Sequence, residues 1–145
     1  MGLIEVASGN SVWRGIDYYE NKKVISWEKT SKTTYIGKVA GSGGKIYDVE
    51  VDTAHPKRSK CNCAFANGRR VVCKHMLAVY FTAEPEQVDD FLKQVEAYEE
   101  EERLREQQEY EELEKYVKSL SKKELQSVCI AALFELEEYR NNRYW

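Results

Sequence analysis

Residues 61–75 read CNCAFANGRRVVCKH, and this stretch carries the strongest structural signal in the chain. One residue separates Cys61 from Cys63, one separates Cys73 from His75, and nine residues lie between the two pairs. Thiolate sulfur and imidazole nitrogen are ligands that zinc prefers, and four of them complete its tetrahedral coordination. The spacing therefore predicts one Zn²⁺ ion bound by all four side chains.

A complete ligand set predicts a structural role for this ion. Catalytic zinc keeps one coordination position open for water or substrate, and four protein ligands leave none open. We expect Cys61 and Cys63 at the end of a strand and Cys73 at the start of a helix, where backbone N–H groups favour thiolate. The alternative is a set of buried or reactive thiols beside an incidental histidine. The Cys-x-x-Cys pattern typical of redox proteins does not occur in the sequence.

Three segments before the cysteines have the pattern of β-strands. Residues 24–29 are rich in β-branched and aromatic side chains, and residues 33–39 alternate loosely. Residues 46–52 alternate cleanly between apolar and acidic side chains, which is typical of a half-buried antiparallel strand. The glycine-rich run at 41–44 predicts a hairpin between the last two segments.

Helical patterns account for most of the remaining sequence. We predict a short helix over residues 11–19 with Ser11 as its N-cap, and a buried helix from His75 to about Thr82. Pro85 suits the first turn of a long helix, which the acidic residues around it would stabilise through the helix dipole.

Two apolar stripes follow in this C-terminal part. The first is formed by residues of one helix at alternating spacings of three and four: Tyr110, Leu113, Val117 and Leu120. The second covers residues 125–136, after a capping box that begins at Ser121. The stripes predict either a helical hairpin, in which they cover each other, or an extended helical arm that contacts a second chain.

The charge of the chain is unevenly distributed. The net charge is −3, but residues 1–83 carry +6 and residues 84–145 carry −9. This division predicts two domains, a zinc-binding domain over 1–83 and an acidic helical arm or hairpin over 84–145. The strand and helix patterns together predict an α+β fold. The acidic part could be a solvated helix, a dimerisation element, or a segment that folds onto the basic residues of the first domain.

Basic residues surround the four cysteine and histidine side chains. Residues 57–74 contain no acidic side chain. Each Lys or Arg contact with a phosphate adds affinity that salt weakens, and an aromatic ring can stack on a base. The candidates for nucleic-acid contact are therefore Lys57, Arg58, Lys60, Phe65, Arg69, Arg70 and Lys74. The alternative is that these cations only balance the negative charge of Zn²⁺ with three thiolates.

The Cys-x-Cys and Cys-x-His pairs resemble the SWIM zinc finger family. The resemblance covers residues 12–82 and extends to five further features: Arg14-Gly15 with Tyr18, the strand at Val24, residues 36–41, Tyr47-Asp48-Val49, and residues 73–79. It implies a ββα-type zinc module, a small antiparallel sheet with a short helix, that binds DNA or proteins. Ala64 departs from the pattern, because many members have proline after the second cysteine.

Other function classes find little support in the sequence. It shows no Gly-rich phosphate loop and no nucleophile–base set, so we predict a protein without enzymatic activity or small-molecule substrate. The absence of a long apolar segment and of a signal-peptide pattern predicts a cytoplasmic protein without a membrane partner. Two functions remain: a nucleic-acid-binding module, for DNA or RNA, with an oligomerisation arm, or a protein-interaction adaptor with a purely structural zinc.

Overall fold

Four β-strands and five α-helices occur within residues 2–143, the part of the chain that the computed structural model describes. The strands form one antiparallel sheet in the order β1-β2-β3-β4: β1 (Val24–Lys29), β2 (Thr34–Ala40), β3 (Ile46–Asp52) and β4 (Lys60–Cys61). The helices are α1 (Leu3–Val6), α2 (Gly9–Glu20), α3 (Lys74–Ala83), α4 (Glu86–Ser119) and α5 (Lys122–Asn142). The predicted α+β class is confirmed.

The hairpin of β2 and β3 forms as the alternation of β3 predicts. Val49 and Val51 are buried, whereas Asp48 and Glu50, which alternate with them along the strand, are exposed. Asp52 pairs with Thr34 at the open end of the hairpin. The connection needs glycine, because two of its residues have φ angles of 69° and 74°, which side chains rarely tolerate: Gly43 and Gly44.

Helix α3 lies at the centre of the core. Met76, Leu77, Val79 and Phe81 are all completely buried, because α3 contacts the sheet and also α2. A short helix that is apolar on every side is stable only in such a position. Gly15 of α2 permits this packing, since a Cβ atom there would lie 2.6 Å from the Cβ atom of Leu77.

The first predicted helix begins earlier than expected. Helix α2 starts at Gly9, and its N-cap is Ser8, whose side chain accepts a hydrogen bond of 3.2 Å from the Ser11 backbone N–H. The prediction that Ser11 is the cap was therefore wrong. Ser8 has the extended backbone of a cap residue, with φ of −68° and ψ of 148°, whereas Ser11 already lies inside the helix.

The chain divides into two compact units, one through Gln94 and one from Val95 onwards. The start of α4 belongs to the first unit. Val88 is buried in the core, and Phe91, which is partly buried, packs against the same core. The first unit thus extends beyond position 84, where the basic part of the chain ends and the acidic part begins.

The second unit contains the rest of α4 and the whole of α5. The predicted capping box is present, because the Ser121 side chain accepts from the Glu124 N–H at 3.2 Å and the Glu124 carboxylate accepts from the Ser121 N–H at 2.7 Å. The apolar stripes remain exposed: Leu113 is 59% exposed and Leu136 58%. Of the two predicted arrangements, the described part of the chain therefore lacks the hairpin, in which one stripe packs on the other. None of the helices within residues 2–143 has the length and apolarity that a membrane span requires.

Candidate metal centre

Four buried side chains meet where the sheet ends and α3 begins. Cys61 is the last residue of β4, Cys63 lies in the turn after it, Cys73 is the N-cap of α3, and His75 is in the first turn of that helix. Each is at most 5% exposed, and their potential ligand atoms all lie within 4.8 Å of one another. This arrangement could hold one metal ion.

Backbone contacts position the first pair of cysteines. Asn62, between them, is tied to β3, since its side-chain oxygen accepts a hydrogen bond of 2.9 Å from the Asp48 N–H. After Cys63 the chain turns, because the N–H groups of Ala66 and Asn67 both donate to the Cys63 carbonyl oxygen, at 3.2 and 2.9 Å. This turn directs the loop back towards Cys73.

His75 presents its Nδ1 atom to the thiols. Nδ1 lies 3.7 Å from the Sγ atom of Cys61 and 3.9 Å from that of Cys73. The other ring nitrogen, Nε2, is buried and has no hydrogen-bond partner among the described residues. Tyr47 stacks on the imidazole with ring centroids 4.4 Å apart, and Tyr18 contacts it edge-on at 5.3 Å. Aromatic packing therefore holds the ring with Nδ1 towards the cluster.

The electrostatics of the cluster favour a thiolate at Cys73. The Cys61 thiol donates a hydrogen bond to Cys73, which is the main reason that the pKa of Cys73 falls to about 4. Burial opposes this shift, while His75 and the Met76 N–H at the helix start support it. The same hydrogen bond raises the pKa of Cys61, because its proton is shared with the Cys73 sulfur. A metal cation would replace this proton as the partner of the sulfur atoms.

Five of the seven predicted nucleic-acid contacts line one groove. The groove has a volume of about 1490 Å³ and is bounded by the sheet face opposite the core and by the loops on both sides of β4. We call it the basic groove. Its basic lining residues among the predicted contacts are Lys57, Arg58, Lys60, Arg69 and Arg70.

The two other predicted contacts lie outside this groove. Phe65 is 48% exposed, and the guanidinium of Arg69 lies 5.2 Å from the centre of its ring. The Lys74 ammonium group lies 4.6 Å from the centre of the Tyr18 ring. Lys74 thus contacts an aromatic neighbour of the metal cluster instead of the groove.

The sequence reasoning missed the other charged residues of the groove. Lys38 lines it, as do four acidic residues: Glu28, Asp48, Glu50 and Asp52. Two of the carboxylates have cationic or polar partners, since Asp48 pairs with Lys38 at 2.9 Å and Asp52 lies 3.4 Å from the His55 imidazole. The acidic alternation of β3 was the available signal, because it marks the outer face of the sheet on which the groove lies.

Comparisons with known proteins found no matching protein family, no matching curated protein and no matching solved structure. The geometry of the four side chains is consistent with a zinc finger. Any further assignment of metal and target therefore depends on the chemistry of the residues themselves.

Proposed function

We propose that this chain is a non-enzymatic zinc-binding protein that contacts nucleic acid, and specifically DNA, through the basic groove. The proposal depends mainly on one observation, the position of the groove beside the metal cluster. Lys60 immediately precedes Cys61, and Arg69 and Arg70 lie in the loop that joins the two ligand pairs. A metal ion that fixes the four ligands would also fix this basic surface.

The donor set supports zinc as the metal. Three thiols and one imidazole are soft or intermediate ligands, which suit Zn²⁺ and do not suit Mg²⁺ or Ca²⁺. A zinc–sulfur bond of about 2.3 Å and a zinc–nitrogen bond of about 2.1 Å at a tetrahedral angle place the sulfur and nitrogen atoms about 3.6 Å apart. The distances of 3.7 and 3.9 Å from His75 Nδ1 to the Cys61 and Cys73 sulfur atoms are close to this value.

A structural role for the zinc ion follows from where the ligands lie. They come from β4, from the turn after it and from the start of α3, so one ion would join the last strand to the central helix of the core. Four protein ligands leave no coordination position for water or substrate. This supports a folding role and argues against catalysis at this site.

The charges of the groove support a phosphate-rich partner. Within residues 2–143 none of its five predicted basic contacts belongs to an ion pair, whereas Asp48 is already paired with Lys38. Unpaired Lys and Arg side chains on one surface release counterions when they contact phosphates, which drives binding. The resemblance to the SWIM family implies binding of DNA or proteins, and the unpaired cations of the groove favour DNA between these two.

A salt-dependent binding titration tests this proposal. The zinc-loaded chain would be titrated with fluorescent single-stranded and double-stranded oligonucleotides at several salt concentrations. Five phosphate contacts predict a slope of about −4.5 for log affinity against log salt on duplex DNA, and a smaller slope on single strands. Absence of binding at low salt would refute the nucleic-acid function.

The adaptor function is the second candidate, and the exposed apolar stripes of α4 and α5 favour it. Tyr110 is 68% exposed and Ile130 70%, which is unusual for side chains that face only water. In an adaptor the zinc domain would be a scaffold and the helices would recruit a protein. A chain that fails to bind oligonucleotides at low salt would support this candidate.

A further inference from the structure

Helix α5 contains seven consecutive apolar residues, VCIAALF at positions 128–134, and exposes most of them. Ile130 is 70% exposed, Leu133 58% and Phe134 63%. Successive helical residues are about 100° apart, so seven apolar residues in a row cover the whole circumference of the helix. A helix that is apolar all round is normally buried, and α5 therefore lacks its partners in the single chain.

The apolar residues of α5 form two faces that lie about 130° apart around the helix axis, at about 100° per residue. The first face contains Leu125, Ala132 and Leu136, at spacings of seven and four residues. The second face contains Ile130, Leu133 and Phe134. Leu133 and Phe134 follow Ile130 by three and four residues and so lie about one turn beyond it. The stripe at the end of α4 could cover only one of these faces, so the other requires a second molecule.

We propose that this second molecule is another copy of the chain. In the resulting dimer, the second face of α5 packs antiparallel on the same face of the partner subunit, with a two-fold axis at Ile130. Such an interface is self-complementary, because each copy contributes the same surface. The proposal concerns the second unit alone and does not depend on the nucleic-acid function.

The charges of α5 select the antiparallel arrangement. Lys123, Ile130 and Glu137 are spaced by seven residues, so they lie along one line of the helix surface. A two-fold axis at Ile130 places Lys123 opposite Glu137 of the partner subunit, and Glu137 opposite Lys123 of the partner subunit. A parallel pairing would instead place like charges together. In this register Leu133 and Phe134 lie opposite Ser127 and Gln126 of the partner subunit, so the two attractive contacts flank a centre in which Ile130 meets its own copy.

The exposed area is sufficient for a stable dimer only if the stripe of α4 and the first face of α5 also join the interface, because the second face alone contributes three large side chains. Residues 110–139 include eleven large apolar side chains that are exposed. Together they expose on the order of 1000 Å² per copy, and stable interfaces bury about 800 Å² per partner. A homodimer that covers both faces of α5 and the stripe of α4 would bury most of this surface.

The first test is the mass of the full chain in solution, measured by sedimentation equilibrium. We expect a dimer at micromolar concentration, and a monomer for Ile130→Asp with unchanged helical circular dichroism. Leu104→Asp is the matched control, since Leu104 is exposed to 50% on α4 outside the stripes, and it should remain dimeric. A wild-type chain that is monomeric at every concentration would overturn the proposal, and the apolar faces would then belong to a different protein partner.

The second test uses charge reversal and does not depend on removing apolar contacts. Lys123→Glu or Glu137→Lys alone should weaken dimerisation roughly tenfold at low salt, because each creates two like-charge contacts by symmetry. The double variant should recover most of the wild-type affinity, since the attractive pairs form again with the charges exchanged. Misfolding could not produce this recovery. Two single reversals without effect, or a double variant weaker than either, would overturn the antiparallel register.

Discussion

The phenol ring of Tyr47 lies on the imidazole of His75, with ring planes inclined by 26° and centroids 4.4 Å apart. Tyr47 belongs to β3 and His75 to α3, so this contact connects the sheet to the helix at the metal cluster. Ligating histidines are usually oriented by a hydrogen bond to the second ring nitrogen. His75 Nε2 has no such partner among the described residues, so packing must orient the ring instead.

Tyr47→Ala should therefore weaken zinc binding by about tenfold, the lower end of the effect of losing a group that orients a metal ligand. Competition with a chromogenic chelator measures this affinity directly. Tyr47→Phe is the control, because it keeps the stacked ring and removes only the hydroxyl. Equal zinc affinity of the wild type and the alanine variant would show that Tyr47 does not orient His75.

Cys73→Ala, or removal of zinc by a strong chelator, should unfold the first unit. Structural zinc contributes an apparent ~10–16 kcal/mol in finger peptides, and domains are stable by only about 5–15 kcal/mol. Near-ultraviolet circular dichroism measures this loss of tertiary structure, since Trp13 and Trp27 both belong to the first unit.

Cys129→Ala is the matched control for that substitution. Cys129 is an exposed thiol on α5 and lies outside the metal cluster. The Cys129→Ala variant should therefore have the near-ultraviolet spectrum and the zinc content of the wild type. Retention of the wild-type spectrum by Cys73→Ala would contradict the structural role of the metal.

Most of the first unit could be predicted because its signals are local. The alternation of β3 and the glycines of the hairpin each lie within seven residues, and the four candidate metal ligands lie within residues 61–75. The position of Cys61 at the end of a strand was expected, but the bounds of β4 could not be predicted, because two residues are too short for any periodicity. The sequence also did not predict that Val88 belongs to the core of the first unit. The change from basic to acidic residues suggested a domain boundary before Val88.

The groove depends on tertiary structure and could not be predicted from the sequence. Lys57 and Arg70 are 13 positions apart, and only the fold of the loops around β4 brings them to one surface. For the same reason the sequence did not separate Lys74, which points to Tyr18, from the basic residues of the groove. Whether the two apolar stripes cover each other also depends on long-range packing, which the local sequence pattern does not determine.

Gly15→Ala should destabilise the first unit by about 1–3 kcal/mol, as overpacking in a core commonly does. The added methyl group would lie 2.6 Å from the Cβ atom of Leu77, and two helices would have to move apart. Urea unfolding of the zinc-loaded chain measures the change. Gly9→Ala is the control in the same helix, because no atom lies within 4 Å of its Cβ position, and it should be neutral or slightly stabilising.

Lys57→Ala tests the basic groove as the contact surface for nucleic acid. Loss of one phosphate contact should weaken binding to duplex DNA several-fold at low salt and reduce the salt slope by about 0.9. Lys32→Ala removes the same charge from an exposed turn outside the groove and should change neither quantity. Since both variants have the same net charge, a difference between them can come only from the position of the lysine. Equal losses for both would mean that binding follows the overall charge of the first unit and does not involve the groove.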